Sequence, residues 1–260
     1  MATRTFRVWR GDKSGGELRE YKVDVDEGMV VLDVVHRIQA RMAPDLAVRW
    51  NCKAGKCGSC SCEINGKPRL SCMTRMDTLG EDEVITIQPV KTFPIIKDLV
   101  TDVSWNYRQK RRIPPFRPRQ RDADGNDRMM QEDVDRIQEF RKCIECFLCQ
   151  DTCHVLRDHH KMEGEVFGGP RFMIFLANLD MHPLDTADRL RAVRDDFGSG
   201  YCNITKCCTD VCPEHINITD NGIIPLKERV VDRFYDPIAR LLRGIGGGKK
   251  QPAPALDPDA

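Results

Sequence analysis

The sequence predicts an α+β chain of two domains, a β-rich one followed by a helical one. Three observations carry this. Period-two alternation near the N-terminus gives way to a helical stripe, a Pro- and Arg-rich stretch without periodicity interrupts the chain, and helix-spaced apolar residues follow it. At 260 residues, 40% apolar and 31% charged, the chain is long enough for two compact domains and too polar to live within a bilayer. Its 41 basic and 40 acidic residues nearly cancel, so no overall field draws it onto nucleic acid or an anionic membrane. Neither a charged-then-apolar leader nor an apolar run of about 18 residues is found, so neither export nor a membrane span is expected.

Residues 3–9 alternate Phe6 and Val8 with polar neighbours, and Tyr21, Val23 and Val25 repeat the period, which predicts two strands joined through residues 12–16. Val31, Leu32, Val34, Val35, Ile38 and Met42 then follow a helical stripe that stops before Pro44. Strand, strand, helix is the order in which a β-grasp begins. Asn65-Gly66 signals a two-residue turn between strands at 61–64 and 68–72, and residues 83–89 supply a later strand. Residues 113–127 hold Pro114, Pro115, Pro118, several arginines and Asp124-Gly125 and read as linker. Beyond it, Val134, Ile137 and Phe140 form one helix face and Phe172, Phe175, Leu176 and Leu179 another. The expected organisation is a β-grasp domain over 1–105, a linker over 106–127, an all-α domain over 128–243 and a disordered tail over 244–260, whose Gly, Lys and Pro cannot bury enough surface to order themselves.

Thirteen cysteines in one chain without a leader are too many for disulfides, and the odd count leaves one unpaired in any scheme, so metal is the expectation. They fall into two groups, one per domain. Cys52-Lys53-Ala54-Gly55-Lys56-Cys57-Gly58-Ser59-Cys60 has the C-x-x-x-x-C-x-x-C spacing of a plant-type 2Fe-2S ferredoxin, and Cys72 supplies a fourth thiolate. Gly55 and Gly58 let the backbone curl and aim N–H groups at cluster sulfurs. Zinc also takes four thiolates, but a glycine-lined first gap of four residues argues against it. Cys62 is surplus to four ligands and is expected to pack as a small hydrophobe.

Cys143-Ile144-Glu145-Cys146-Phe147-Leu148-Cys149-Gln150-Asp151-Thr152-Cys153 matches the bacterial ferredoxin run, whose fourth cysteine crosses to the other cluster. Its second copy spans residues 202–213 and ends in Cys212-Pro213, with Thr205 where the second thiolate belongs. By the crossing rule Cys143, Cys146, Cys149 and Cys212 hold a 4Fe-4S cluster. Cys153, Cys202 and Cys208 leave the other site three thiolates, which suits a 3Fe-4S cluster. Cys207 is either a stray or a ligand that reaches the vacant corner and restores four irons; adjacent side chains diverge, which favours the first.

A two-iron domain followed by a helical domain lacking that one cysteine resembles the iron–sulfur subunit of succinate dehydrogenase and fumarate reductase, over roughly residues 3–240, in wording most similar to actinobacterial forms. The resemblance implies FAD on a flavoprotein subunit and electrons relayed through the two-iron, four-iron and three-iron clusters. The acceptor it implies is menaquinone or ubiquinone at a cytochrome b-type membrane anchor, which carries the haem. It further implies a peripheral position on the cytoplasmic face of the plasma membrane, and no bond chemistry on this chain. Many members follow the third-cluster cysteine with Pro-Ser and tryptophans, whereas here His154-Val155-Leu156-Arg157-Asp158-His159-His160 follows Cys153, and Asn203 stands where many have His. His154, Arg157, His159, Asn203 and Thr205 are therefore the residues expected in the quinone vicinity. A stand-alone soluble ferredoxin needs little more than one cluster domain. Other flavoenzyme partners often lack the two-iron domain or carry longer CCG-type motifs. Neither alternative fits this chain as well.

Overall fold

The computed structural model describes residues 2–159, 167–238 and 251–252. The chain forms two compact units that are not contiguous stretches: residues 1–104, 144–157 and 211–214 make the first, and residues 105–143, 158–210 and 215–260 the second.

The first unit is built on a seven-stranded sheet of order β4-β3-β5-β1-β6-β7, with β2 paired to β1. Strands β1 (Ala2–Asp12) and β2 (Gly15–Val25) form the expected antiparallel hairpin, longer than the alternation alone indicated, with Phe6 opposite Tyr21 and Val8 opposite Arg19. Its tight turn is held by the Asp12 carboxylate, which accepts the Ser14 N–H at 2.8 Å. Helix α1 (Val31–Arg41) starts where the Asp33 carboxylate accepts the Val30 N–H at 3.1 Å and ends short of Pro44. It buries Val31, Val34, Val35 and Ile38 against Phe6, Val8, Ile64, Ile85 and Ile87, while Leu32 packs elsewhere, with Cys60 and Cys72. Strands β3 (Ser61–Ile64) and β4 (Lys67–Leu70) are joined at Asn65-Gly66, both left-handed at φ 49° and 72°, as a primed two-residue turn requires. β5 (Ile85–Gln88) runs parallel to β1 and antiparallel to β3. β6 (Ile95–Lys97) and β7 (Val100–Thr101) are too short for a periodic signal and were not expected.

One buried carboxylate ties these strands to the loop that leads toward the first cysteines. Asp98, 2% exposed, accepts the Arg10 Nε at 3.1 Å, the Gly11 N–H at 3.0 Å and the Ala47 N–H at 2.9 Å. Asp98→Ala leaves the buried Arg10 guanidinium without this partner and two backbone donors unsatisfied, a loss of about 3–5 kcal/mol. Denaturant titration of wild type and variant reads it directly; a loss below about 1 kcal/mol, the value of a surface pair, contradicts the assignment.

The second unit is mainly helical: α2 (Ser104–Arg111), α3 (Gln131–Gln138), α6 (Pro170–Asp180), α7 (Leu190–Asp195), α8 (Cys207–Asp210) and α9 (Ile224–Phe234). The short helices α4 (Leu148–Asp151) and α5 (His154–His159) carry the second cysteine run onward, and α4 lies in the first unit. In the second unit's core α6 buries Phe172, Met173, Ile174, Leu176 and Ala177. A π-helical turn at Ile218–Ile223 brings Gly222 so near Ile174 that a Cβ would lie 2.5 Å from its Cδ1.

Residues 113–127 have no regular element, as their composition indicates, yet they are bonded in place. Arg119 N–H donates to the Leu184 carbonyl at 2.8 Å, Thr186 N–H to Arg117 at 2.9 Å, and the Arg189 Nε to Pro114 at 2.8 Å. Arg189 and Asp185, both fully buried, pair at 2.8 Å. The expected disordered tail 244–260 lies outside the described residues except for Gln251 and Pro252, a two-residue strand (β9) pairing in parallel with Ala187–Asp188 (β8). Among the described residues no helix is long and apolar enough to cross a membrane.

Candidate iron–sulfur centres

None of the thirteen cysteines forms a disulfide. In the first loop Lys53, Gly55 and Gly58 take left-handed φ of 54°, 67° and 70°, so the chain folds back on itself and turns N–H groups inward. The N–H groups of Ala54 and Lys56 both lie 3.3 Å from the Cys52 sulfur. Burial pushes the Cys57 thiol up, but hydrogen bonds from Ser59 and from the Cys52 and Ser59 backbone outweigh it and leave the thiol at about 6. Cys72 is held beside Cys60 because Ser71, the residue before it, bonds the Cys60 carbonyl through both N–H and Oγ, each at 3.1 Å. Burial, then the neighbouring Cys60 thiol, raises the Cys72 thiol to about 12. Cys60 and Cys72 thus pack together at the end of the loop that carries Cys52 and Cys57 and its amide donors, a donor set whose chemistry fits an anionic sulfide cluster. Among the described residues no three His, Cys, Asp or Glu side chains converge at single-ion distance. Cys62 packs in the main core with Phe6 and Ile64, apart from Cys60 and Cys72, and burial drives its thiol pKa up.

The other two cysteine runs repeat this backbone device without glycine. Glu145 and Phe147, at φ 54° and 61°, alternate with Cys146, and Ile204 and Lys206, at φ 58° and 62°, flank Thr205. Left-handed backbone costs a non-glycine residue about 1–2 kcal/mol, and more is asked of β-branched Ile204. Strain of this kind survives where a site over-determines it, and alternating left-handed residues build the amide concavities in which iron–sulfur clusters sit. The loop containing Thr205 shares the alternation seen around Cys146.

Cys146 packs with Ile144 and Val211 against the patch formed by Cys60, Cys72, Leu32 and Leu148. Gly58 lies on Cys146 so tightly that a Cβ would fall 2.6 Å from its Cα, and Ser61 Oγ lies 2.8 Å from the Cys146 carbonyl and 2.9 Å from that of Gly58. The residues flanking Cys212 belong to the same compact unit as Cys146 and Cys149, whereas Cys143, Cys202 and Cys208 belong to the other.

In the second unit the Cys208 sulfur is buried, 3.5 Å from the Thr219 hydroxyl, and burial raises its thiol to about 11. The Cys207 sulfur lies 3.3 Å from the Thr205 hydroxyl, so the two adjacent thiols have different neighbours. Lys227 Nζ donates to the Cys202 carbonyl at 2.7 Å. Asn203 and Thr205 are exposed and His154 is half-buried; the side chain of His159, and His160 altogether, lie outside the described residues. Arg157 is directed inward: its Nη2 donates to the Glu63 carboxylate at 2.7 Å and its Nε to the Asp151 carbonyl. Glu63, Lys91 and Asp151, which complete that cluster, carry no sequence signal, since Glu63 stands 94 residues from Arg157 and Asp151 60 residues from Lys91.

Residues 5–107 match the family model of a 2Fe-2S iron-sulfur cluster binding domain, and residues 139–216 that of a 4Fe-4S dicluster domain. The succinate dehydrogenase iron-sulfur subunit of Paracoccus denitrificans is 29% identical over 238 residues, 89% of each chain. The mitochondrial succinate dehydrogenase [ubiquinone] iron-sulfur subunit 1 of Oryza sativa subsp. japonica is 30% identical over 83% of this chain and 78% of its own length. Among solved structures, a chain of the Mycobacterium smegmatis Sdh1 complex in the apo form is 66% identical, with a TM-score of 0.87 over 91% of this chain and 99% of that one.

Proposed function

This chain belongs to the iron–sulfur subunits of succinate dehydrogenase and fumarate reductase, and from that membership we propose how its own residues carry the electrons. It is an electron-transfer subunit of a succinate:quinone oxidoreductase, with a 2Fe-2S and a 4Fe-4S domain. In this reading the first domain is a β-grasp over about 1–105, followed by a connecting stretch and a ferredoxin-like helical domain to about 243. Cys52, Cys57, Cys60 and Cys72 hold the two-iron cluster, and Cys143, Cys146, Cys149 and Cys212 hold the four-iron cluster. Cys153, Cys202 and Cys208 hold a three-iron cluster, with Cys62 and Cys207 outside the ligand sets. When bound, these clusters supply a one-electron relay from the FAD of a flavoprotein subunit to quinone at a haem-bearing membrane anchor. The chain sits peripherally on the cytoplasmic face. His154, Arg157, His159, Asn203 and Thr205 are the candidates near quinone, of which Arg157 also bonds Glu63 and Asp151.

The observation that carries this reading is the shared patch: Cys60 and Cys72 of one ligand set and Cys146 of the next pack against the same side chains, with Gly58 and Ser61 between the loops. Low-temperature electron paramagnetic resonance of the purified complex before and after succinate tests it. The expected result is an oxidised three-iron signal that disappears on succinate while a two-iron signal grows. A second four-iron signal in place of the three-iron one makes Cys207 a ligand and overturns the third assignment.

A further inference from the structure

Four charged side chains meet inside the first unit beside the proposed ligands, and the relay above does not use them. Glu63, fully buried on β3, accepts Arg157 Nη2 through Oε1 and pairs through Oε2 with the Lys91 ammonium. Asp151, fully buried on α4 between Cys149 and Cys153, accepts the Lys91 and Thr92 N–H groups through Oδ1 at 2.8 and 3.1 Å, and its Oδ2 lies 3.7 Å from Arg157 Nη2. Two carboxylates face two cations, so the formal charge cancels. Their exposure does not: both carboxylates are at 0%, whereas the Arg157 side chain is 34% and that of Lys91 51% exposed.

Holding α4 on the sheet does not require such a cluster. Desolvating each buried ion costs several kcal/mol, and apolar packing of similar volume is often as stable or more so. What apolar packing cannot provide is a field. Water screens the two rim cations more than the two buried anions, so the residual potential around α4 is negative and an electron added there is disfavoured.

Resting on the ligand assignment above, we propose that Glu63, Asp151, Arg157 and Lys91 form a fixed charge cluster that holds down the reduction potential of the four-iron cluster ligated by Cys149. Arg157 reaches both carboxylates and acts as a positioning residue for this cluster. The potential of an iron–sulfur cluster responds to surrounding charge and burial, and a field has a sign that a packing defect lacks.

Redox titration of the assembled complex, followed by the four-iron resonance, tests the sign. Glu63→Gln removes an anion and is expected to shift the midpoint upward. Lys91→Gln and Arg157→Gln each remove a cation and shift it downward, and Arg157→Lys restores it toward wild type. Shifts of one common sign, or none, in variants that keep the resonance overturn the proposal. If Glu63→Gln or Arg157→Gln does not assemble, Lys91→Gln decides alone, because Lys91 is the most exposed of the four side chains. Absence of any four-iron resonance in the wild-type complex refutes the ligand assignment instead.

Discussion

Replacing Gly58 with alanine is expected to strip the complex of both its two-iron and four-iron resonances. Gly58 is left-handed at φ 70°, and an added Cβ would fall 2.6 Å from the Cys146 Cα and 2.9 Å from its N and Cβ. The clash is with backbone on one side and backbone on the other, so no side chain can rotate to relieve it. The backbone conformation and the overlap together cost about 2–5 kcal/mol. Relief requires the first cysteine loop and the segment around Cys146 to separate, which moves a proposed ligand of each cluster. Gly66→Ala is the control: its φ is 72°, and nothing lies within 4 Å of its added Cβ. It shares the backbone penalty without the clash and is expected to retain both resonances with a modest fall in thermal midpoint. Equal behaviour of the two variants would mean that the contact between Gly58 and Cys146 does not position the ligands.

What the sequence made legible was whatever is encoded over short spans. The hairpin of β1 and β2, helix α1 and the Asn65-Gly66 turn follow from alternation, a helical stripe and one dipeptide, and all appear close to the expected places. The cysteine runs were legible because cysteines three to six residues apart lie close together along the chain. Contacts made across long separations were not. Residues 113–127 look like a free linker by composition, but their order comes from Arg189 and Asp185, some 70 residues away, which bond their carbonyl and amide groups. The left-handed residues Lys53, Glu145, Phe147, Ile204 and Lys206 are invisible for a different reason. Nothing in their side chains favours that conformation, so it is imposed by the loop each occupies. Arg157 belongs with the long-range contacts: its place soon after Cys153 is legible in the sequence, but the reach of its guanidinium to Glu63, 94 residues back, is not.

Cys57→Ser is expected to abolish the two-iron resonance and succinate-driven quinone reduction while leaving the four-iron and three-iron signals. Against burial, hydrogen bonds from Ser59 and Cys52 lower the Cys57 thiol to about 6, whereas a serine hydroxyl in the same place is a harder, poorer partner for iron. The damage should stay local. Cys57 is half-buried on the loop, and an oxygen is smaller than the sulfur it replaces, so the core formed by Phe6, Ile64 and Ile85 is untouched. Two activity assays then separate the roles. A soluble dye that takes electrons directly from the flavin should still be reduced by succinate, because no residue of this chain is needed for that step, and quinone should not be. Cys62→Ser provides the comparison within the same strand and loop system: its thiol lies in the main core, so it is expected to lower stability and to leave the two-iron resonance in place. A Cys57→Ser complex that kept both its two-iron resonance and its quinone reductase activity would remove Cys57 from the ligand set, and with it the entry point of the relay.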